Sequence, residues 1–232
     1  MSKALRVVYT LFMKLPDYWL PRPPFTPGAE LNARLEPFYR RLLAGEDVGG
    51  MLPVPLWQFL CWLTDSKGHL LHGSGHEDIG EFEPRQSNDV DEFGNRKAVY
   101  AASDGIWPMF FAIVDRNRYA MTIVNAAIRL EGPATGSFYF FSLTDGVLAK
   151  QPWREGFVYV LPREGFEEQA LRRSGDSVIH SNQWANLQPV EPLARLRVRP
   201  TDFPFLTEIR GQDDEMLAQR AAANPDGFPW LA

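Results

Sequence analysis

The sequence predicts an α+β fold in which helices come first along the chain and short strands follow. Residues 1–68 carry leucine, phenylalanine and arginine at helical spacing between proline-rich joints, which is typical of packed helices. From His69 onward, short apolar runs alternate with polar loops, a pattern that favours β-strands. We therefore expect a helical N-terminal extension, residues 1–68, followed by an α+β domain, residues 69–232.

The composition supports a folded protein with a sizeable core. The 232 residues are 45% hydrophobic and 13% aromatic, which is enough to fill one large core or two small ones. The single cysteine, Cys61, lies in an apolar stretch and cannot form an intrachain disulfide, so we expect a buried thiol.

Four helices are predicted from apolar spacing and from capping residues. In the first, one face carries five apolar residues, namely Leu31, Leu35, Phe38, Leu42 and Leu43. The other three are expected over residues 55–63, 104–115 and 213–223. Pro55 fits the first turn of the second helix, and Ser103 or Asp104 would cap the third.

Six short runs are predicted to form strands, over residues 69–72, 98–101, 123–130, 137–143, 156–161 and 193–198. A long acidic loop, residues 77–97, separates the first two runs. A loop of this length is either a mobile cover over a site or a disordered insertion. Within it, Arg85 could meet a pyrophosphate through its forked donors or could be a solvated loop charge.

Charge and hydropathy argue against several classes of protein. The formal net charge is -5 and the chain has no block of lysine and arginine, so we do not expect nucleic acid as a partner. The only apolar run near the start, Val7 to Met13, is too short to cross a membrane. It is also not followed by a small-residue cleavage site. The sequence therefore predicts a cytoplasmic protein without a membrane contact.

The segment Leu70 to Ser74 carries the clearest functional signal. It reads as a strand that ends in a histidine, followed by a glycine where the backbone can approach a ligand closely. Three histidines, His69, His72 and His76, lie near one another in sequence. On a strand, however, His69 and His72 would point to opposite faces. We therefore expect no metal site here.

The order of motifs around this strand resembles a known superfamily. His72, Gly73 and Ser74 end one strand, and after the loop a second strand carries Tyr100 followed by small residues and a helix. This order resembles the ADP-ribosyltransferase superfamily, which includes the poly(ADP-ribose) polymerases and the rifampin ADP-ribosyltransferases. The resemblance implies a split arrangement of mixed or antiparallel β-sheets with flanking helices.

Two later segments extend the resemblance. Residues 157–167 look like the strand and turn that precede an acidic residue in the rifampin enzymes. Residues 182–184 look like the Asn-Glu-Tyr strand of the polymerases. The resemblance covers roughly residues 69–203 and leaves the N-terminal third unexplained.

The resemblance implies that NAD is the substrate and assigns four residues to its binding. In the superfamily, the histidine bonds a ribose hydroxyl, the glycine backbone holds the nicotinamide amide, and the tyrosine stacks against nicotinamide. By resemblance these residues are His72, Gly73 and Tyr100, with Ser74 beside them. An imidazole can donate or accept a hydrogen bond near neutral pH, and an aromatic face suits a planar, partly cationic ring.

The catalytic half of the site departs from the family pattern. The reaction breaks the nicotinamide–ribose bond through an oxocarbenium-like state, which a carboxylate usually stabilises. Gln183 occupies the position of the polymerase glutamate; it can bond a hydroxyl but carries no charge. The rifampin-like alignment offers Glu167 or Glu168 as the acidic group instead.

Three functions remain open at this stage. The first is an ADP-ribosyltransferase-like enzyme that transfers ADP-ribose to an unidentified protein or small-molecule acceptor, or that cleaves NAD. The second is a non-catalytic nucleotide-binding or protein-interaction module on the same fold. The third is a fold relative that handles RNA phosphate, against which the pI near 5.4 counts.

Overall fold

The computed structural model describes residues 15–87, 91–132, 135–174, 176–225 and 227–231. Within these ranges the chain forms five α-helices and two β-sheets, so the α+β class predicted from the sequence is confirmed. The helices are α1 (Ala29–Leu43), α2 (Leu56–Asp65), α3 (Trp107–Ile113), α4 (Asp145–Leu148) and α5 (Asp214–Ala223). None of these helices combines the length and the apolar character that a membrane crossing requires.

Thirteen strands within the described ranges form the sheets. They are β1 (Leu20–Pro21), β2 (Leu70–Ser74), β3 (Arg85–Gln86), β4 (Lys97–Ala102), β5 (Ile123–Glu131), β6 (Gly136–Thr144), β7 (Gly156–Leu161), β8 (Glu167–Glu168), β9 (Arg172–Ser174), β10 (Ser177–His180), β11 (Gln183–Asn186), β12 (Ala194–Val198) and β13 (Arg210–Gln212). Sheet I has the order β1-β6-β5-β10-β9, and β13 adds to β6 in parallel. Sheet II has the antiparallel order β12-β7-β2-β4-β11-β8, and β3 pairs with β4.

The chain passes from sheet I to sheet II within two residues. Strand β10 ends at His180 and β11 begins at Gln183, so only Ser181 and Asn182 connect them. Asn182 is buried and has a φ of 55°, a left-handed conformation that asparagine tolerates better than most side chains. This tight connection brings the edge of sheet I beside β11 and β4.

The main hydrophobic core contains the N-terminal helices as well as the sheets. Leu35 and Leu42 of α1 and Phe59 of α2 pack in one cluster with Val158 of β7 and Leu196 of β12. The helices of the predicted extension therefore share a core with the strands that follow residue 69. The buried thiol expected at Cys61 is confirmed in the same cluster.

The predicted apolar face of α1 needs one correction. Leu35 and Leu42 are buried, and Leu31 and Phe38 pack partly against the core. Leu43, however, is 42% exposed. Residues one position apart on a helix point about 100° away from each other, so Leu43 lies beyond the edge of the face that Leu42 buries.

Helix α3 is shorter than the predicted span of residues 104–115. It begins at Trp107 because the buried Asp104 caps it from outside: Asp104 Oδ1 accepts hydrogen bonds from the amides of Ile106 and Trp107, both at 2.8 Å. Its Oδ2 accepts a third bond from the hydroxyl of Tyr139, at 2.6 Å. Of the two predicted capping residues, Asp104 is the one whose side chain bonds this end of the helix, although the N-cap position itself is Ile106.

The described part of the predicted loop 77–97 is packed against sheet II. Phe82 forms an antiparallel bridge with Val190, and Arg85–Gln86 forms β3 beside β4. Residues 88–90 lie outside the described residues. The part on either side of them is therefore a cover over one face of the sheet, and the alternative of a disordered insertion is not supported there.

Candidate functional site

Sheet II splits between β2 and β4 at the His-Gly-Ser motif that was identified in the sequence. Strand β2 pairs with β7 through all five of its residues, but with β4 only through Leu71 and Ala102. Beyond this pair the two central strands separate. His72, Gly73 and Ser74 therefore follow directly on the point where the split begins.

The imidazole of His72 bridges the split. Its Nδ1 lies 2.6 Å from the main-chain oxygen of Tyr100. A carbonyl oxygen can only accept, so Nδ1 carries the proton of the neutral ring. The bond replaces one that a main-chain amide of β2 would make in a closed sheet, and it fixes the ring orientation.

The neutral form of His72 is the favoured one. Burial lowers the pKa of His72, and the positive charges of Arg116 and Arg85 lower it further against the effect of the bond to Tyr100. With Nδ1 protonated, Nε2 carries a lone pair. Nε2 has no hydrogen-bond partner among the described residues. The site therefore offers one fixed acceptor.

The cover over sheet II holds the imidazole from one side. The ring of Phe82 lies 4.7 Å from the ring of His72, between centroids, and packs edge-on against Tyr159 at 5.1 Å. The Tyr159 hydroxyl lies 2.7 Å from the main-chain oxygen of His76 and accepts from the amide of Ile79 at 3.2 Å. Tyr159 thus ties the cover to the sheet, and the cover packs Phe82 against His72.

Gly73 is required by the packing of α3. A Cβ atom at this position would lie 1.8 Å from the carbonyl oxygen of Pro108 and 3.1 Å from the amide of Ala112. The absence of a side chain therefore lets α3 contact the main chain of β2 directly. Ser74, which the resemblance places beside Gly73, accepts a local hydrogen bond from the amide of His76 at 3.1 Å.

Tyr100 contributes its main chain to the site, while its ring lies on the other side of the sheet. Val99 and Ala101 pack in the cluster that contains Phe82, the residue against His72. Because neighbouring residues of a strand alternate between faces, the Tyr100 ring points away from that cluster. Its hydroxyl accepts from the amide of Arg96 at 2.8 Å. The structure therefore does not bring the rings of His72 and Tyr100 together.

The three catalytic candidates lie along β8 and β11. Glu167 forms an ion pair with Arg96 at 3.0 Å, and Glu168 lies 3.6 Å from Nδ1 of His180. Gln183 pairs with Ala102, the residue at the split, and its side-chain amide makes no hydrogen bond with the described residues. Of the three, Gln183 has the side chain that is available to a ligand.

Two aromatic residues on α3 were missed by the sequence reasoning. Trp107 and Phe111 are four residues apart and are only partly buried, and their ring centroids lie 6.1 Å apart. Trp107 Nε1 donates to Asn125 of β5 at 2.6 Å. The spacing of two large aromatics on one helix face was a usable signal. Since α3 is apolar on all sides, however, the sequence could not show which face is exposed.

Other candidate features lie apart from the split. Among the described residues, no group of three or more His, Cys, Asp or Glu side chains is placed to hold a metal ion. His69, one of the three clustered histidines, instead lies 2.7 Å from the Tyr39 hydroxyl. A cavity of about 570 Å³ is lined by residues of α4, β13 and α5, among them Asp145 and Asp214, and by none of the predicted site residues.

Comparison with models of known families, with curated proteins and with solved structures gave no match for this chain.

Proposed function

We propose that this protein binds NAD at the split between β2 and β4, as an ADP-ribosyltransferase-like protein. The observation that carries the proposal is the fixed tautomer of His72, whose Nδ1 is bonded to Tyr100 and whose Nε2 is a free acceptor. A ribose hydroxyl is a suitable donor to such an acceptor. The proposal agrees with the histidine role that the sequence resemblance implies.

Two further features support a nucleotide as the ligand. Trp107 and Phe111 offer a partly exposed aromatic surface, on which a planar base can stack. Gln183 offers a free amide next to Ala102 at the split, where it can bond a second hydroxyl. Helix α3 packs on the side of sheet II to which Gly73 and the Tyr100 ring point, whereas His72 points to the side of Phe82. A ligand that contacts both His72 and these two rings therefore has to pass through the split between β2 and β4.

Calorimetric titration with NAD tests the binding. We expect wild-type protein to bind NAD and His72→Ala to bind it at least about 10-fold more weakly, the loss expected for about 1.4 kcal/mol. His76→Ala is the matched control, because the exposed His76 has no side-chain bond to the described residues. No heat change for wild type at millimolar NAD, or equal binding by His72→Ala, would reject the proposal.

Turnover is a separate question, and the geometry favours binding with little turnover. Both carboxylates lie beside positively charged or basic groups of the protein, Glu167 beside Arg96 and Glu168 beside His180, and Gln183 carries no charge. This arrangement supports the alternative of a non-catalytic nucleotide-binding module. If the protein does act on NAD, ADP-ribose passes to an acceptor or to water.

Nicotinamide release, measured by chromatography, distinguishes a binding module from an enzyme that cleaves NAD. For a binding module we expect no release by wild type and measurable release by Gln183→Glu, which supplies a carboxylate at the split. Release by wild type that is lost in Glu168→Gln would instead make Glu168 the catalytic carboxylate. Glu164→Gln, in the turn before β8, is the control for the loss of one acidic residue.

A further inference from the structure

Three segments of the chain meet at the end of β2. The main chain of Val114, just after α3, forms a bridge with Trp153, just before β7. The amide of Arg154 donates to the oxygen of Ile113 at 2.8 Å. These contacts bring the exit of α3 and the entrance of β7 against Gly75, the residue that follows β2.

Arg154 lies directly against the main chain of Gly75. A Cβ atom at Gly75 would lie 1.7 Å from Cζ of the Arg154 guanidinium, so only glycine leaves room for this contact. The Arg154 side chain is 19% exposed, and its Nε is buried without a partner among the described residues. Its nearest carboxylate oxygen, on Asp115, is 3.7 Å away, too far for a hydrogen bond.

A second guanidinium, that of Arg116, lies in the same region. It is 5.9 Å from the centre of the Phe111 ring, and within the described residues no carboxylate lies within ion-pair distance of it. Arg116 is exposed by its surface area, and partial loss of water around its guanidinium lowers its pKa, with the charge of Arg154 lowering it further. The amide of Asp115, the residue before Arg116, donates to the main-chain oxygen of Pro152 at 2.9 Å, so the segments that carry Arg116 and Arg154 run side by side. Among the described residues, only the carboxylate of Asp115 lies within ion-pair distance of either guanidinium.

We propose that Arg116 and Arg154 form a phosphate-binding site at the end of β2. Forked guanidinium groups bind phosphate oxygens through paired hydrogen bonds, and an anion would relieve the repulsion between the two cations. The loop contact at Gly75 fixes the position of Arg154, so the site is built before the ligand arrives.

The position of this site also indicates the ligand class. Gly75 is three residues beyond His72, which corresponds to roughly 10 Å along an extended chain. Residues an odd number of positions apart on a strand point to opposite faces, so a nucleoside diphosphate that contacts both His72 and the arginines has to pass through the split between β2 and β4. This choice of ligand rests on the proposed function, whereas the phosphate site does not.

Titration calorimetry with inorganic pyrophosphate, ADP and adenosine tests the site on the full chain. We expect pyrophosphate to bind, and ADP to bind at least about 10-fold more tightly than adenosine. Arg116→Gln should lower the affinity for both phosphate ligands at least about 10-fold, since each charge-assisted bond is strong. Arg118→Gln is the matched control, because Arg118 lies in the same loop and packs on Tyr119 instead.

A second variant keeps the test valid if Arg116→Gln fails to fold. Arg154→Lys keeps the charge but loses the fork, and it should weaken ADP binding while the melting temperature stays within a few degrees of wild type. The inference fails if ADP and adenosine bind equally or if Arg116→Gln binds pyrophosphate as wild type does.

The proposed function fails independently of the phosphate site. If the protein binds pyrophosphate through Arg116 but does not bind NAD, the phosphate site is supported and NAD is rejected as the ligand. NAD binding that depends on His72 but not on Arg116 supports the proposed function and rejects the phosphate site.

Discussion

The carbonyl oxygen of Pro108 occupies the space that a side chain on Gly73 would need, at 1.8 Å from the position of a Cβ atom. We expect Gly73→Ala to lower the free energy of unfolding by about 1–3 kcal/mol, the range for overpacking a closed contact. Gly80→Ala is the control, since no atom lies within 4 Å of its Cβ position. Urea denaturation measures both; equal stability of the two variants would contradict the packing role of Gly73.

The lowered pKa of His72 predicts a loss of stability on mild acidification. The folded-state pKa lies below the ordinary value of about 6.5, so over the interval between them the unfolded chain binds a proton that the folded chain does not. The free energy of unfolding therefore falls as the pH drops through about 6.5, and this contribution levels off below the folded-state pKa. Denaturation at several pH values measures the slope.

His72→Asn separates this effect from that of His69. The pKa of His69 is also lowered, by burial and by Lys67, and His69 contributes a slope of the same sign. His72→Asn should keep the pH dependence of the unfolding free energy that comes from His69 and lose the part that comes from His72. An unchanged slope would mean that His72 does not titrate differently in the folded and unfolded chain.

Asp104 is expected to be one of the residues most sensitive to substitution. Asp104→Ala leaves two helix amides and the Tyr139 hydroxyl without their acceptor in the core. We expect a loss of about 3 kcal/mol or more, because each unsatisfied buried donor costs on the order of 1–3 kcal/mol. Tyr139→Phe removes one of the three bonds and should cost about 1–2 kcal/mol. Thermal or urea unfolding would refute this order if Asp104→Ala were the milder change.

The Tyr100 hydroxyl is expected to order the segment before β4. It accepts from the Arg96 amide at 2.8 Å and lies 2.9 Å from the main-chain oxygen of Phe93. Tyr100→Phe keeps the ring and removes these bonds, so hydrogen exchange at the Arg96 amide should become faster by about 10-fold or more, as for a loss of about 1.4 kcal/mol. Amides of β7 serve as the internal reference and should not change.

The sequence predicted the fold where elements were long and regular. Strand β7 was predicted at its observed bounds, and β5 and β6 to within a residue at each end, because runs of six or more residues rich in β-branched and aromatic side chains are a strong signal. The short strands β1, β3 and β8 have two residues each. Two residues cannot show a periodicity, and these strands form because their partners hold them.

The candidate site was predicted in part, for related reasons. The His-Gly motif was recognisable as a sequence, and His72 does lie at the split. The direction of the Tyr100 ring depends on the register of β4 against β2, which local spacing does not contain. Arg116 and Arg154 belong to no motif, because the segments that carry them come together only through contacts between distant parts of the chain.

The core shared by α1, α2 and the last strands has a consequence for how the chain is made. Leu35 and Phe59 pack in one cluster with Leu196, Phe203 and Ile209, which are far away in sequence. Contacts over such separations slow folding, and during synthesis the N-terminal helices leave the ribosome long before their partners do. Until the chain beyond Leu196 has been made, these helices expose apolar faces that are prone to aggregate. Chaperone binding during translation is therefore expected to begin at α1 and α2.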